Sequence, residues 1–267
     1  MSTLELATRV SLRHRLDGSG STALLLFNGA TLPLEFWDPV VARLAQRCRV
    51  IRFDQRDAGG TRFEGRFTLG DVATDAAALL DALAVDKVVA VGHAWGGRVA
   101  QVFVRDHPHR CRGLVVCGTG GQFPATVTFE ELAAIRDARR ARDRDAFARA
   151  LHACYCAATY PEQDPHGFAA LVDLLWSNPG NGAAEWDPAV NPSPSYWGMA
   201  RLPALLLYGT EDRNGTPENA RDLSVRLATK RLEFVEDAGH FLIRETPERV
   251  ATEILTFVDE LESWREG

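Results

Sequence analysis

Short apolar runs alternate with longer amphipathic segments along this chain, and the alternation predicts its architecture. The segments 22–27 (TALLLF), 48–53 (CRVIRF), 87–92 (KVVAVG), 113–118 (GLVVCG), 203–209 (PALLLYG) and 230–236 (KRLEFVE) read as strands. Four of the six are nearly continuous apolar runs, the pattern expected where helices cover both faces of a parallel sheet. The segment 4–15 alternates more loosely, as antiparallel edge strands do. Over 68–85 the residues Val72, Ala76, Leu79, Leu80 and Leu83 fall at helical spacing behind Thr68, with Asp71 three positions later as a capping partner. The last helix has Thr246 at its cap and Pro247 in its first turn, and it carries Val250, Ile254, Leu255, Val258 and Leu261 on one stripe.

One stretch breaks the alternation. From 121 to 202 no strand pattern occurs and helical patterns follow one another, including 129–151 with the mixed-charge run RDARRARDRDAFAR at 136–149. The prediction is an α/β core formed by 1–120 and 203–267, with a helical cap, 121–202, inserted in it. Both signs of charge occur in the run, so a solvated helix face laced with opposite charges explains it better than a docking surface does. Several prolines punctuate the second half of the insertion, where loops and short helices are expected to shape a pocket.

Composition narrows the function classes. With Lys+Arg 30 against Asp+Glu 36 the net charge is −6, so the chain has no basic footprint for nucleic acid. No apolar run approaches the ~18 residues of a membrane span, and the start MSTLE lacks the basic and apolar parts of a signal peptide. Five scattered cysteines do not make a disulfide framework, so a cytoplasmic location is expected. No His, Cys and carboxylate cluster has metal-ligand spacing and no Gly-rich phosphate loop occurs, so neither metal nor cofactor is expected. The expected partner is a small-molecule substrate, apolar or aromatic, with no nucleic acid and no membrane. A homodimer is left open.

The sharpest local feature is Val91-Gly92-His93-Ala94-Trp95-Gly96-Gly97, between a strand and the helix at 98–106. Strand, Gly-x-x-x-Gly, helix is the setting of a nucleophile elbow, in which the central residue projects above the sheet at a helix N-terminus. Position 94 nevertheless holds alanine, which has no nucleophilic atom. Downstream, Asp212 follows one strand and His240 another, in the order of elbow, acid and base, with all three at strand ends where open α/β sheets bind ligands. Taken singly, a post-strand Asp is ordinarily a turn residue and a lone His a structural one. The order is what links them.

These residues resemble the α/β-hydrolase fold superfamily, over nearly the whole chain. The resemblance is carried by Asn28-Gly29-Ala30 followed by Trp37, by Asp54-Gln55-Arg56-Asp57-Ala58-Gly59-Gly60-Thr61, by the elbow, by Gly209 to Asp212 and by Gly239-His240-Phe241. Asp57 stands where the superfamily usually has glycine, and Thr61 where it has serine. The first half looks similar to bacterial enol-lactonases, small esterases and C–C hydrolases. What the resemblance implies is a mostly parallel sheet with helices on both faces and an inserted helical cap, with an oxyanion hole from the amides of Ala30 and Trp95. It also implies Asp212 as acid, in preference to the adjacent Glu211, and His240 as base. Trp176, Trp186, Tyr196 and Trp197 are expected as substrate-binding walls or as ordinary cap core, with Phe241 beside His240 as a further binding residue.

Alanine at position 94 has three explanations. A serine hydrolase, acting on an ester, lactone or related acyl or C–C bond, has had its nucleophile replaced; or the replaced residue was the aspartate of an epoxide hydrolase or dehalogenase. In the third, alanine is native, and a His240–Asp212 dyad serves a lyase, an isomerase, a cofactor-free oxygenase or a ligand-binding pseudoenzyme. Against the second, the stretch after the first central strand is Asn28-Gly29-Ala30-Thr31, without the His-Gly-x-Pro of epoxide hydrolases. Cys154 and Cys156 lie in the insertion and read as buried thiols, with no neighbouring cation or base to activate them.

Overall fold

The computed structural model describes residues 2–178, 192–227 and 230–263. Eight strands form one sheet: β1 (Ser2–Glu5), β2 (Ser11–Asp17), β3 (Ala23–Phe27), β4 (Arg49–Phe53), β5 (Val88–His93), β6 (Cys111–Cys117), β7 (Ala204–Gly209) and β8 (Lys230–Val235). Their spatial order is β1-β2-β4-β3-β5-β6-β7-β8. The first two pair antiparallel at one edge and the other six run parallel, with Leu24 opposite Val50 on one side and Val89 on the other. All six strands expected from the apolar runs are present, and the loosely alternating N-terminal segment supplies the antiparallel edge.

Alternate residues of the buried strands feed two cores, one on each face. Leu24, Leu26, Val89, Val91, Leu205 and Leu207 pack on one side with Val250, Ile254, Phe257 and Val258. Leu25, Phe27, Val88, Ala90 and Leu206 pack on the other with Val72, Leu79, Val99 and Phe103. The period of two in a strand therefore divides continuous apolar runs between two helical layers.

The helices are α1 (Asp38–Leu44), α2 (Leu69–Ala82), α3 (Trp95–Asp106), α4 (Phe129–Ala141), α5 (Arg144–Tyr155), α6 (Tyr160–Gln163), α7 (Pro165–Ser177), α8 (Pro217–Arg226), α9 (Leu242–Glu245) and α10 (Pro247–Ser263). Helix α2 begins as expected, with the Thr68 hydroxyl accepting from the Asp71 amide and the Asp71 carboxylate accepting in return from the Thr68 amide. The helical pattern over 129–151 belongs to two helices, α4 and α5. Arg142 turns into the left-handed region at φ 57° and Asp143 caps α5 by accepting from the Ala146 amide. Among the described residues, no helix is long and apolar enough to cross a membrane.

Candidate active site

The site begins at the turn between β5 and α3. Ala94 has φ 51° and ψ −119°, a backbone region rarely used by residues with a side chain, and its amide donates to the Cys117 carbonyl of β6 at 2.9 Å. Two glycines make the turn feasible. A Cβ at Gly92 would lie 2.4 Å from the Gly96 carbonyl oxygen, and one at Gly96 would lie 2.2 Å from that of Phe27. The strain of residue 94 is thus held by close backbone packing between β3, β5 and α3. The Ala94 side chain faces a cavity of about 970 Å³.

Asp212 and His240 come together at the mouths of β7 and β8. The His240 Nδ1 lies 3.0 Å from each carboxylate oxygen of Asp212, and the carboxylate also accepts from the amides of Asn214 and Gly215 at 2.8 Å. The neighbouring Glu211 points elsewhere and accepts from the Ala158 amide. Asp212 is therefore the acid that meets the imidazole. Its hydrogen bonds fix the ring with Nδ1 protonated, leaving Nε2 as the basic nitrogen. The imidazole lines the same cavity as Ala94.

The base is held through its backbone as well. The His240 amide donates to the Tyr155 carbonyl at the end of α5, and the His240 carbonyl accepts from the Nε2 of His93 at 2.8 Å. His93 is fully buried and stacked on Phe36, with ring centroids 4.9 Å apart. Burial pushes its pKa down to about 3, with the nearby His240 adding to the effect, so it is a neutral donor at ordinary pH. Glu245 joins the same junction, accepting from the Ala157 and Gly239 amides at 2.7 and 3.0 Å. Burial pushes its pKa up to about 7.

The opposite wall of the elbow is the loop after β3. Asn28 is buried and organises it: its side chain donates to the carbonyls of Leu32 and Phe53 and accepts from the Trp37 indole. Gln55 donates to the Asn28 carbonyl. Ala30 and Trp95, the expected oxyanion donors, both line the cavity beside Ala94. Behind the loop, the Asp54 carboxylate gathers the Leu34 and Gly60 amides and Arg13, which explains why an acid stands at the start of that stretch. Burial is the chief influence on that carboxyl and raises its pKa.

Phe241 lines the cavity as expected, but three of the expected aromatic walls do not. Trp176 packs against Phe147 with ring centroids 5.2 Å apart, on the far side of a residue that does line it. Tyr196 and Trp197 are buried in the core shared with α3 and α8, where the Trp197 indole donates to Asp222. Tyr196, Trp197 and Ala200 thus pack with the core, because a large ring finds more apolar contact under the sheet than at a solvated rim. Trp186 lies outside the described residues. Besides Trp95 and Phe241, the aromatic lining comes from Phe123, Phe147 and Tyr155, with Leu132, Ile135 and Leu151 beside them. The helical pattern over 129–151 placed Leu132, Ile135, Phe147 and Leu151 on helices without telling which face meets the cavity.

The roles of His93, Tyr155 and Glu245 had no signal in the sequence, because each acts through a backbone group of a distant segment. Cys154 and Cys156 are absent from the lining, and burial raises both thiol pKa values, as expected for unreactive thiols.

Comparison with known proteins agrees with this architecture. Residues 24–253 match the model of the alpha/beta hydrolase family. The poly(3-hydroxyalkanoate) depolymerase of Ectopseudomonas oleovorans is 28% identical over 250 residues, 90% of this chain and 85% of that protein. RutD of Caulobacter vibrioides, named as a carbamate hydrolase, is 35% identical over 121 residues, and the match spans only 45% of its length and 43% of this chain. Among solved structures, a thermophilic esterase from Thermogutta terrifontis superposes with a TM-score of 0.80 at 24% identity, covering 98% of this chain and 99% of that one. The enol-lactonase of Burkholderia xenovorans LB400 gives 0.79 at 22% identity, covering 97% and 100%. At these identities the two structures speak for the fold.

Proposed function

The chain belongs to the alpha/beta hydrolase family, and from that premise we propose that its site is that of an ester or lactone hydrolase in which alanine occupies the place of the nucleophile. The observation that carries the reading is the convergence of Ala94, at the strained turn, with the His240–Asp212 pair on one cavity. With a hydroxyl at position 94, Nε2 of His240 would take its proton as the oxygen attacks the acyl carbon, and would return it to the leaving group. Asp212 would hold the ring and offset the imidazolium charge. The amides of Ala30 and Trp95 would donate to the oxyanion. Apolar walls from Phe123, Phe147 and Leu151 suit the hydrocarbon part of a small substrate.

The test is Ala94→Ser, assayed beside the parent on 4-nitrophenyl acetate and butyrate and on γ- and δ-lactones. The expected result is a rise in kcat/KM of at least about a thousandfold, lost again when His240→Ala is added. Failure to gain turnover on any of these substrates would sink the reading.

A second reading has its own support: the dyad is complete although position 94 offers nothing to deprotonate. On that reading the pair acts directly on a bound substrate or water, and the parent chain has a non-hydrolytic activity that His240→Ala removes while Ala94→Ser does not raise it.

A further inference from the structure

The cavity's charge is at odds with that of the chain. The sequence carries 36 acidic against 30 basic residues, yet the described residues lining the cavity include Arg98, Arg136 and Arg139 and no aspartate or glutamate. Two of these arginines, Arg136 and Arg139, sit one turn apart on α4 and reach the same wall. Neither has a carboxylate within ion-pair distance among the described residues, although their neighbour Arg140 pairs with Asp137 on the outer face. The run that reads as a self-neutralising surface therefore lends the cavity two cations that have no carboxylate partner among the described residues.

Arg139 is held in place. Its guanidinium donates to the carbonyls of Leu175 and Trp176 in the last turn of α7 and lies 4.4 Å from the centroid of the Phe147 ring. Half-buried, it loses hydration without gaining an anion, and its pKa is lowered by that desolvation. Arg136 stands at the exposed rim, near enough to Tyr155 to act on its hydroxyl electrostatically. The Tyr155 ring in turn lies 5.7 Å from that of His240. A cationic edge, an apolar wall and the imidazole are thus laid out in sequence across one cavity.

We propose that Arg136 and Arg139 form a carboxylate-binding subsite, so that the preferred substrate is an ester or lactone bearing a second, ionised carboxyl group separated by a short apolar spacer from the bond presented to His240. The bond-breaking part rests on the hydrolase reading; the recognition part does not. Arginine suits the task because its planar fork can offer paired donors to a carboxylate, and because Phe147 and the α7 carbonyls fix one of the two forks in advance.

The chain as it stands permits a binding test without requiring turnover. Monoethyl and diethyl esters of succinic, adipic and suberic acids form matched pairs that differ in one negative charge, and calorimetric titration gives their affinities. At least one monoester is expected to bind about tenfold more tightly than its diester. That preference is expected to fall severalfold in Arg136→Gln and vanish in the Arg136→Gln/Arg139→Gln double variant. It also shrinks as salt rises from about 50 to about 500 mM, since a half-exposed ion pair is screened. Arg139 supports α7, so the double variant is checked for folding by circular dichroism, and Arg136→Gln, at the rim, decides the matter if that variant unfolds. A preference that is absent from every pair, or that survives both Arg136→Gln and high salt unchanged, overturns the proposal. The two readings fail separately. Monoester selectivity without turnover in Ala94→Ser would leave the subsite standing and remove the hydrolase, whereas turnover of neutral esters without selectivity would do the reverse.

Discussion

The cavity has one wall of strand-end loops and one of inserted helices, and the two are held by different forces. On the loop side, Asn28, His93, Asp212 and His240 are buried: Asn28, His93 and His240 are hydrogen-bonded to backbone groups of distant segments, Asp212 accepts from the amides of its own loop, and nearby glycines leave no space for a Cβ. On the helix side, Leu132 and Ile135 are half-buried, Arg136 is exposed, and ion pairs such as that between Arg144 and Asp173 join α5 to α7 at the surface. A wall specified by backbone packing tolerates little change, while a wall of exchangeable side chains can be altered to suit a ligand. On the hydrolase reading proposed above, the first wall would carry the chemistry and the second the selection.

The contrast can be broken most directly at the elbow. Gly92→Ala places a methyl carbon 2.4 Å from the Gly96 carbonyl oxygen, with backbone on both sides and no flexible group to give way. Urea unfolding is expected to show a loss of about 3 kcal/mol or more, or no folded protein. A loss below about 1 kcal/mol would mean that the loop wall is softer than its packing implies.

A smaller effect is expected where the two walls meet, at Glu245. Its folded pKa of about 7 lies above the ordinary carboxylate value, because burial opposes its charge more than the Ala157 and Gly239 amides favour it. The folded state therefore binds more protons than the unfolded state between about pH 4.5 and pH 7, and stability falls as pH rises through that window. Glu245→Gln keeps an acceptor oxygen but cannot ionise. Relative to the parent, the variant is expected to gain about 2 kcal/mol in unfolding free energy between pH 5 and pH 8, and a pH-independent difference between the two would refute this account.

The smallest effect belongs to the helix wall. Arg144→Ala removes an ion pair whose two side chains are 43% and 66% exposed. Its cost in thermal or urea unfolding is expected to stay within about 0.5 kcal/mol. A larger loss would show that the inserted helices depend on their surface charges, and the contrast between the walls would weaken.

Much of this was legible in the chain because the relevant forces are local. Continuous apolar runs announced the parallel strands, Thr68 with Asp71 announced the start of α2, and the glycines around Ala94 announced a turn too tight for side chains. The pairing of Asp212 with His240 rested on chain order and on the resemblance to the α/β-hydrolase fold until the geometry joined them and turned Glu211 away. Less legible were the aromatics. Tyr196 and Trp197 carry the same apolar content as a binding wall, and only the packing of α3 and α8 around them makes them core. The charge run concealed both a helix break at Arg142 and the inward turn of two arginines.

By itself, then, the sequence determined the sheet, the strained turn and the absence of a nucleophilic atom at its centre, because strand burial, glycine geometry and residue identity are properties of short segments. Only the tertiary structure decided that His93 supports the backbone of His240, that Glu245 ties the segment after α5 to the loop of the base, and that Arg136 and Arg139 line the cavity. The first two are contacts between segments 147 and 88 residues apart, and neither periodicity nor composition encodes which face of a helix meets a partner that far along the chain.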